Sequence, residues 1–325
     1  MTDAAMSPPC EPPAMPEART NGARLLVASG ARATEDLLFE LLEPLVAAAR
    51  KDVFLLAKPV RIVVSSRSLR DHVSAQIPRR LGAAVAGVEV QTLQRVAREV
   101  VERSHEPARP GEALIPMLVR AAARREPLLA RDLGALEDGF GAVLGSVRDL
   151  IDAGRLAEAG EAIDEALSGL PFGAASLGRA RALVRVGVAV SAELEALGID
   201  SRASLLSRAY EALRRAPARA LPQRAVLVHG FADATGVATD LIEALVRECG
   251  AIVLLDRPPD PADPTRPDLG CAFSERFTAR IASAAGGVDD APRGTTPGEI
   301  HLLEAAGIAA EVRGVAQRIR SLLDG

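Results

Sequence analysis

Tryptophan is absent from this 325-residue chain, tyrosine occurs once, at Tyr210, and aromatics make up only 2% of the whole. A platform of rings on which bases could stack is therefore not expected. Lysine is almost missing: Lys51 and Lys58 are the only two, and every other basic residue is arginine. Cysteine is limited to Cys10, Cys249 and Cys271, with no CxxC pair, and His72, His105, His229 and His301 are scattered. No metal-ligand spacing results, and so sparse and odd a cysteine set suits a reducing cytoplasm. No apolar run is long enough to span a bilayer. The net charge of −4 carries no global nucleic-acid signature.

What the chain does have is a large apolar fraction, 48%, which must form a core of Leu, Val and Ala. Its length allows about two domains at the usual ~150 residues each. Residues 1–22 are Pro-rich without an apolar centre, so they read as a disordered lead-in and not as a signal peptide. Strands are expected at 24–29, 59–66 and 87–93. Helices follow each of them: the first interrupted near Pro44, the second closed by Gly82, the third in "QRVAREVVERS". Such alternation predicts a parallel sheet with helices on both faces.

From 111 to 221 the texture changes to Ala, Leu, Arg and Glu at three- and four-residue spacing, which predicts an all-helical insert of five to seven helices. Strand character returns at 225–228 in "RAVLVHGFADATG", where the run is expected to break at His229-Gly230-Phe231, and again at 251–258. The α/β domain is thus expected over 23–110 plus 222–265. Residues 266–298 read as an irregular connection with a short helix at 273–285. Residues 299–325, one strand and one helix, read as the start of a second α/β domain, since a lone strand–helix unit cannot bury its own faces. An insert placed after a strand lies over the ligand-binding edge of the sheet.

Three enzymatic readings fail on missing residue types. An α/β-hydrolase would use "VLVHGF" as its oxyanion turn, but it needs a G-x-S-x-G nucleophile elbow, and no serine here has those flanking glycines. A P-loop NTPase needs a Gly-rich loop ending in Lys-Ser/Thr. After the first strand stand Ser29 and Gly30 with neither a second glycine nor a lysine, and His229 takes the place of the metal-holding acid. A carboxylate–lysine nuclease needs [D/E]-x-K, but Ala49 and Leu56 precede the two lysines. No catalytic residue is therefore assigned. Ser29, Gly30, His229 and Gly230 form at most a degenerate nucleotide site, without ATP or Mg²⁺.

Basic charge is concentrated between Pro59 and Arg109, where nine arginines face five acids. Strand-end Ser and Thr near arginine can hold phosphates. The candidates for DNA contact are Ser65, Ser66, Arg67, Arg70, Thr92 and Gln94. The plain alternative is that the arginines are solvated helix faces and the Ser and Thr are helix N-caps.

Several stretches resemble one family. "PVRIVVSSRSLRDHVSAQIPRRL" resembles motif Ia of superfamily 1 DNA helicases, and "GVEVQTLQRVAREV" the motif that follows it. "AVLVHGFADATGVATDLIEALV" resembles the degenerate motif II of the B subunits of AddAB-type helicase–nucleases. "EIHLLEAAGIAAEVRGVAQRIRSLL" resembles their entry into a second helicase-like domain, with Glu311-Val312 and Arg313, Arg318 and Arg320. The resemblance covers about 24–105 and 222–325. It implies a P-loop-NTPase-like α/β fold of the superfamily 1 domain 1A type. It implies a cytoplasmic, non-catalytic segment that guides DNA, a single strand near a duplex end, beside a helicase–nuclease partner subunit in recombinational repair. The nuclease domain of that family, with its iron–sulfur cluster, would lie beyond residue 325. A hydrolase-type enzyme or an interaction protein with a decayed NTPase fold are the alternatives.

Overall fold

The computed structural model describes residues 22–28, 30–82, 85–104, 107–109, 111–133, 139–154, 156, 160–169, 171, 173–234, 236–256, 269–290 and 303–324. They belong to two compact units, 1–292 and 293–325. The first unit opens with β1 (Arg24–Ala28), α1 (Ala31–Lys51), β2 (Val60–Val64), α2 (Arg67–Leu81), β3 (Val88–Thr92) and α3 (Leu93–Arg103). A run of helices follows: α4 (Ile115–Arg125), α5 (Pro127–Leu133), α6 (Gly139–Ala153), α7 (Gly160–Ser168), α8 (Ala174–Ala196), α9 (Arg202–Arg215) and α10 (Pro217–Ala220). The unit closes with β4 (Ala225–Phe231), α11 (Gly236–Cys249), β5 (Ile252–Asp256), α12 (Leu269–Ala285) and the two-residue β6 (Asp289–Asp290). In the second unit α13 (Ile308–Asp324) carries Glu311, Val312, Arg313, Arg318 and Arg320, all exposed. The strand expected at its start falls largely outside the described residues, as do residues 1–21.

The sheet order is β3-β2-β4-β5-β1-β6, and every pair is parallel. All strands therefore present their C-terminal ends at one edge. The central strands are long apolar runs, as strands covered on both faces must be. All five residues of β2 (VRIVV) are buried. Alternate residues feed two cores. Leu26, Val60, Ile62, Val64, Leu227 and Leu254 pack under α1 and α2. Leu25, Val27, Val63, Val226, Val228 and Val253 pack on the other face under α3, α9, α11 and α12. Each buried Val or Leu stabilises the fold by about 1.5–3 kcal/mol.

Several expectations change. Helix α1 runs unbroken through Pro44. The carbonyl of Glu40, which a residue other than proline would engage, lies on the exposed side where water can satisfy it. The helices between β3 and β4 do not enclose a separate core: α4, α6, α8 and α9 bury Val119, Val147, Val190 and Leu206 in the same cluster as the sheet. Helix α12 is longer than expected and covers the sheet through Phe277, Ile281 and Ala284. Its apolar spacing was hidden by the Pro- and Asp-rich stretch before it.

Candidate nucleic-acid interface

The strand order reverses between β2 and β4. From β2 the chain goes outward to β3, and from β4 it goes the other way to β5. In open α/β sheets the crevice at such a point, beyond the C-terminal strand ends, is where ligands bind. The sheet edge here has three distinct parts.

At the β1 end, Gly30 leads into α1 with φ +97, and its N–H donates to Asp256 Oδ1 at 2.6 Å. The helix N-terminus, with its exposed N–H groups and positive dipole, is a natural place for an anion. Here the chain's own carboxylate, from the end of β5, takes that place. Further along α1, Arg80 from α2 pairs with Glu35 at 3.0 Å and Asp36 at 2.7 Å, and His72 Nε2 lies 2.7 Å from Glu35. Ser29 lies outside the described residues.

In the middle, strand β4 does not stop at Val228 as its sequence suggests. It runs through His229 and Gly230 to Phe231, with a register irregularity at Gly230. Gly230 has φ +77, and a Cβ there would approach Leu69 Cδ2 to 2.0 Å, with Ser65 Oγ at 3.6 Å. Only glycine suits such a bulge. The expected turn after Val228 is thus the bulged end of a strand. His229 is 4% exposed and its Nδ1 has no hydrogen-bond partner among the described residues. Burial pushes its pKa below the ordinary imidazole range, with Glu35 and Asp256 opposing and His72 reinforcing the shift. Its buried position thus disfavours the charged imidazolium.

At the β3 end the character inverts. Among the described residues, strand β3 pairs only with β2, which leaves its outer edge without a neighbouring strand. A cleft of about 500 Å³ wraps this edge, lined by Arg67 and Arg70 from α2, Thr92 from β3, and Gln94, Arg95 and Arg98 from α3. Glu89 is the acidic residue among its walls. Both α2 and α3 begin at this cleft, so two helix N-termini add their partial positive charge to four guanidinium groups. Arg70 also pairs with the exposed Asp71 at 2.7 Å. Nε of Arg98 is buried without a hydrogen-bond partner among the described residues.

Of the six candidate DNA-contact residues, the structure brings four to this cleft: Arg67, Arg70, Thr92 and Gln94. Two are elsewhere. Ser66 caps α2, accepting from Leu69 N at 3.1 Å, and Ser65 faces the Gly230 bulge. Thr92 also caps its helix, accepting from Arg95 N at 3.4 Å, and Gln94 donates to Glu112 at 3.2 Å. Arg95 and Arg98 were missed, although the sequence held a signal. Positions 95, 98 and 102 lie on one helical face, opposite the buried Leu93, Val96, Ala97, Val100 and Val101.

The cleft stands on a buried ion-pair hub. Arg61, 1% exposed, points from β2 toward α3. It donates to both carboxylate oxygens of Glu99 at 2.8 Å, to Gln91 at 2.9 Å and to the Pro222 carbonyl at 3.2 Å, and lies 3.0 Å from Glu89. Burial opposes the charge on Glu99, but hydrogen bonds from Arg61, Gln91 and Arg103 overcome it and lower its pKa to about 2. Arg61 is thus a structural member of the basic segment and faces no solvent.

No group of His, Cys, Asp and Glu that could hold a metal occurs among the described residues, and no described helix is long and apolar enough to cross a membrane. Compared with protein families and with curated proteins, the chain matches no family model and no curated sequence.

Proposed function

We propose that this chain is a non-catalytic, helicase-like segment that guides single-stranded DNA beside a helicase–nuclease partner, the role implied by its resemblance to the B subunits of AddAB-type enzymes. On this reading the parallel sheet is a degenerate P-loop-NTPase sheet of the superfamily 1 domain 1A type. Residues 111–221 are its helical insert, and 299–325 begin a second helicase-like domain. The observation that carries the reading is the arginine-lined cleft at the open β3 edge. It lies at the C-terminal side of the sheet, between two helix N-termini, and has donors suited to phosphate. The carboxylate of Asp256 at the start of α1 supports the absence of nucleotide chemistry, because it would repel a phosphate there.

Binding should be carried by phosphate contacts, weak, tolerant of sequence and steeply dependent on salt. Fluorescence anisotropy with a single-stranded oligonucleotide at low salt tests this. The native chain should bind. The Arg67→Ala/Arg70→Ala variant should bind more weakly, its log-affinity against log-salt slope smaller by about 0.7 for each phosphate no longer neutralised. Equal affinity and slope in the two proteins would make these arginines ordinary surface charge.

A further inference from the structure

A second basic cleft lies at the far end of α3. It has a volume of about 350 Å³ and is lined by Arg103 and Ser104 of the α3 end, by Arg208 and Arg215 of α9, and by Arg219 of α10, with Glu211 opposing. Between the two clefts runs a shallow groove formed by Arg95, Glu99, Glu102 and Arg103. It shares Arg95 with the first cleft and Arg103 with the second, so the three depressions follow one another along the solvent side of α3. We infer that a DNA strand held at the β3 edge continues along α3 and is gripped again by Arg215 and Arg219.

The distribution of charge favours two grips joined by a neutral saddle. In the groove, Arg103 is neutralised by Glu99 at 2.9 Å. In the second cleft, Arg208 is held by Asp200 at 2.7 Å. No ion pair among the described residues engages Arg215 or Arg219, and both are exposed. Arg215 sits in the last turn of α9, where a cation also complements the helix dipole. Arg219 lies beyond that helix, on α10, and the dipole of α9 gives no reason for it. The spacing suits a strand: α3 rises ~12 Å between Arg95 and Arg103 at ~1.5 Å per residue. At ~3.4 Å per nucleotide of stacked strand, about four nucleotides cover the saddle alone, and a strand that also engages Arg215 and Arg219 must be longer. The ligand is a polyanion of regular charge spacing, read through its backbone, because aromatic rings for stacking are scarce along this path.

This inference rests on the DNA-guiding reading, and its test separates the two. Fluorescein-labelled oligothymidylates of about five and about fifteen nucleotides, within the range of single-strand site sizes, are titrated into the full-length chain at several salt concentrations. The Arg215→Ala/Arg219→Ala variant should bind the longer oligomer several-fold more weakly, with a salt slope smaller by about 1.4 because two phosphates go unneutralised. Its loss on the shorter oligomer should be smaller, since one grip suffices for that length. If the longer oligomer binds this variant and the native chain alike, while Arg67→Ala/Arg95→Ala weakens it, the second grip is refuted and the guiding role stands. If the native chain binds neither oligomer, both fall. All four arginines are exposed, so circular dichroism should show unchanged folding.

Discussion

The two ends of the sheet's C-terminal edge use the same backbone physics to opposite effect. At the β1 end a helix N-terminus faces an acid: Asp256 caps Gly30, and Glu35 and Asp36 on the same helix are neutralised by Arg80. At the β3 end two helix N-termini face Arg67, Arg70, Arg95 and Arg98. A helix N-terminus attracts anions in either place. What differs is whether the chain supplies the anion itself or surrounds the site with cations. On the proposed reading, the side chains decide which of these helix N-termini stays available to a phosphate.

The largest expected effect concerns the support beneath the basic end. Arg61→Ala removes a buried guanidinium with all its hydrogen bonds and leaves Glu99 partly buried without its strongest donor. It should destabilise the chain by about 3 kcal/mol, the lower part of the range for breaking a buried pair. At the acidic end Arg80→Ala should cost about 1 kcal/mol or less, because its pairs are partly exposed. Urea denaturation of both variants measures the contrast, and equal losses would break it. The pH dependence sharpens it further. Glu99 has its folded pKa lowered from 4.5 to about 2, so the stability it contributes is present above 4.5 and is lost as pH falls through that value toward 2. Arg61→Ala should flatten the stability profile in that window, while Arg80→Ala should leave it steep.

A smaller effect is expected midway along the edge. Gly230→Ala places a side chain at φ +77 and within 2.0 Å of Leu69 Cδ2. It should cost about 1–3 kcal/mol. Adding Leu69→Ala relieves the clash but not the backbone strain, so the pair should recover only part of the Gly230→Ala loss once the cost of Leu69→Ala alone is subtracted. Full recovery would mean that crowding alone requires the glycine. The smallest effect is none at all: isothermal titration with Mg–ATP should show no binding heat, because the lysine of a nucleotide loop is missing and Asp256 occupies the α1 N-terminus. A micromolar dissociation constant would overturn this view of the acidic end.

Much of the sheet was legible in the sequence because buried parallel strands are continuous apolar runs, as in "RIVV" and "VLV". Thr92 and Gln94 could be placed at a strand end because they follow the alternating, half-buried stretch Val88-Glu89-Val90-Gln91. Arg67 could be placed because it opens the helix that Ser66 caps. The hydrogen bond from Gly30 to Asp256 was not legible: it joins residues 226 apart and depends on β5 lying beside β1. Arg61 misled for a related reason. In sequence it is one arginine among nine. Only the alternation of β2, with Val60, Ile62 and Val64 facing α1 and α2, turns it and Val63 toward α3. The helices between β3 and β4 read as a separate domain because spacing reveals the apolar stripe of a helix but not the surface it covers. That surface here is the sheet's own layer of helices, α3 and α11 with α9 between them.

Hydrogen exchange with and without a single-stranded oligonucleotide tests the contrast between the two ends most directly, because it reads both in one sample. Bound DNA should slow exchange of the backbone amides at 67–70 and 92–98, at the start of α2 and α3, and leave those at 30–36, at the start of α1, unchanged. Protection at 30–36 without protection at 92–98 would contradict the account, since it would put the phosphate at the end that Asp256 is held to close.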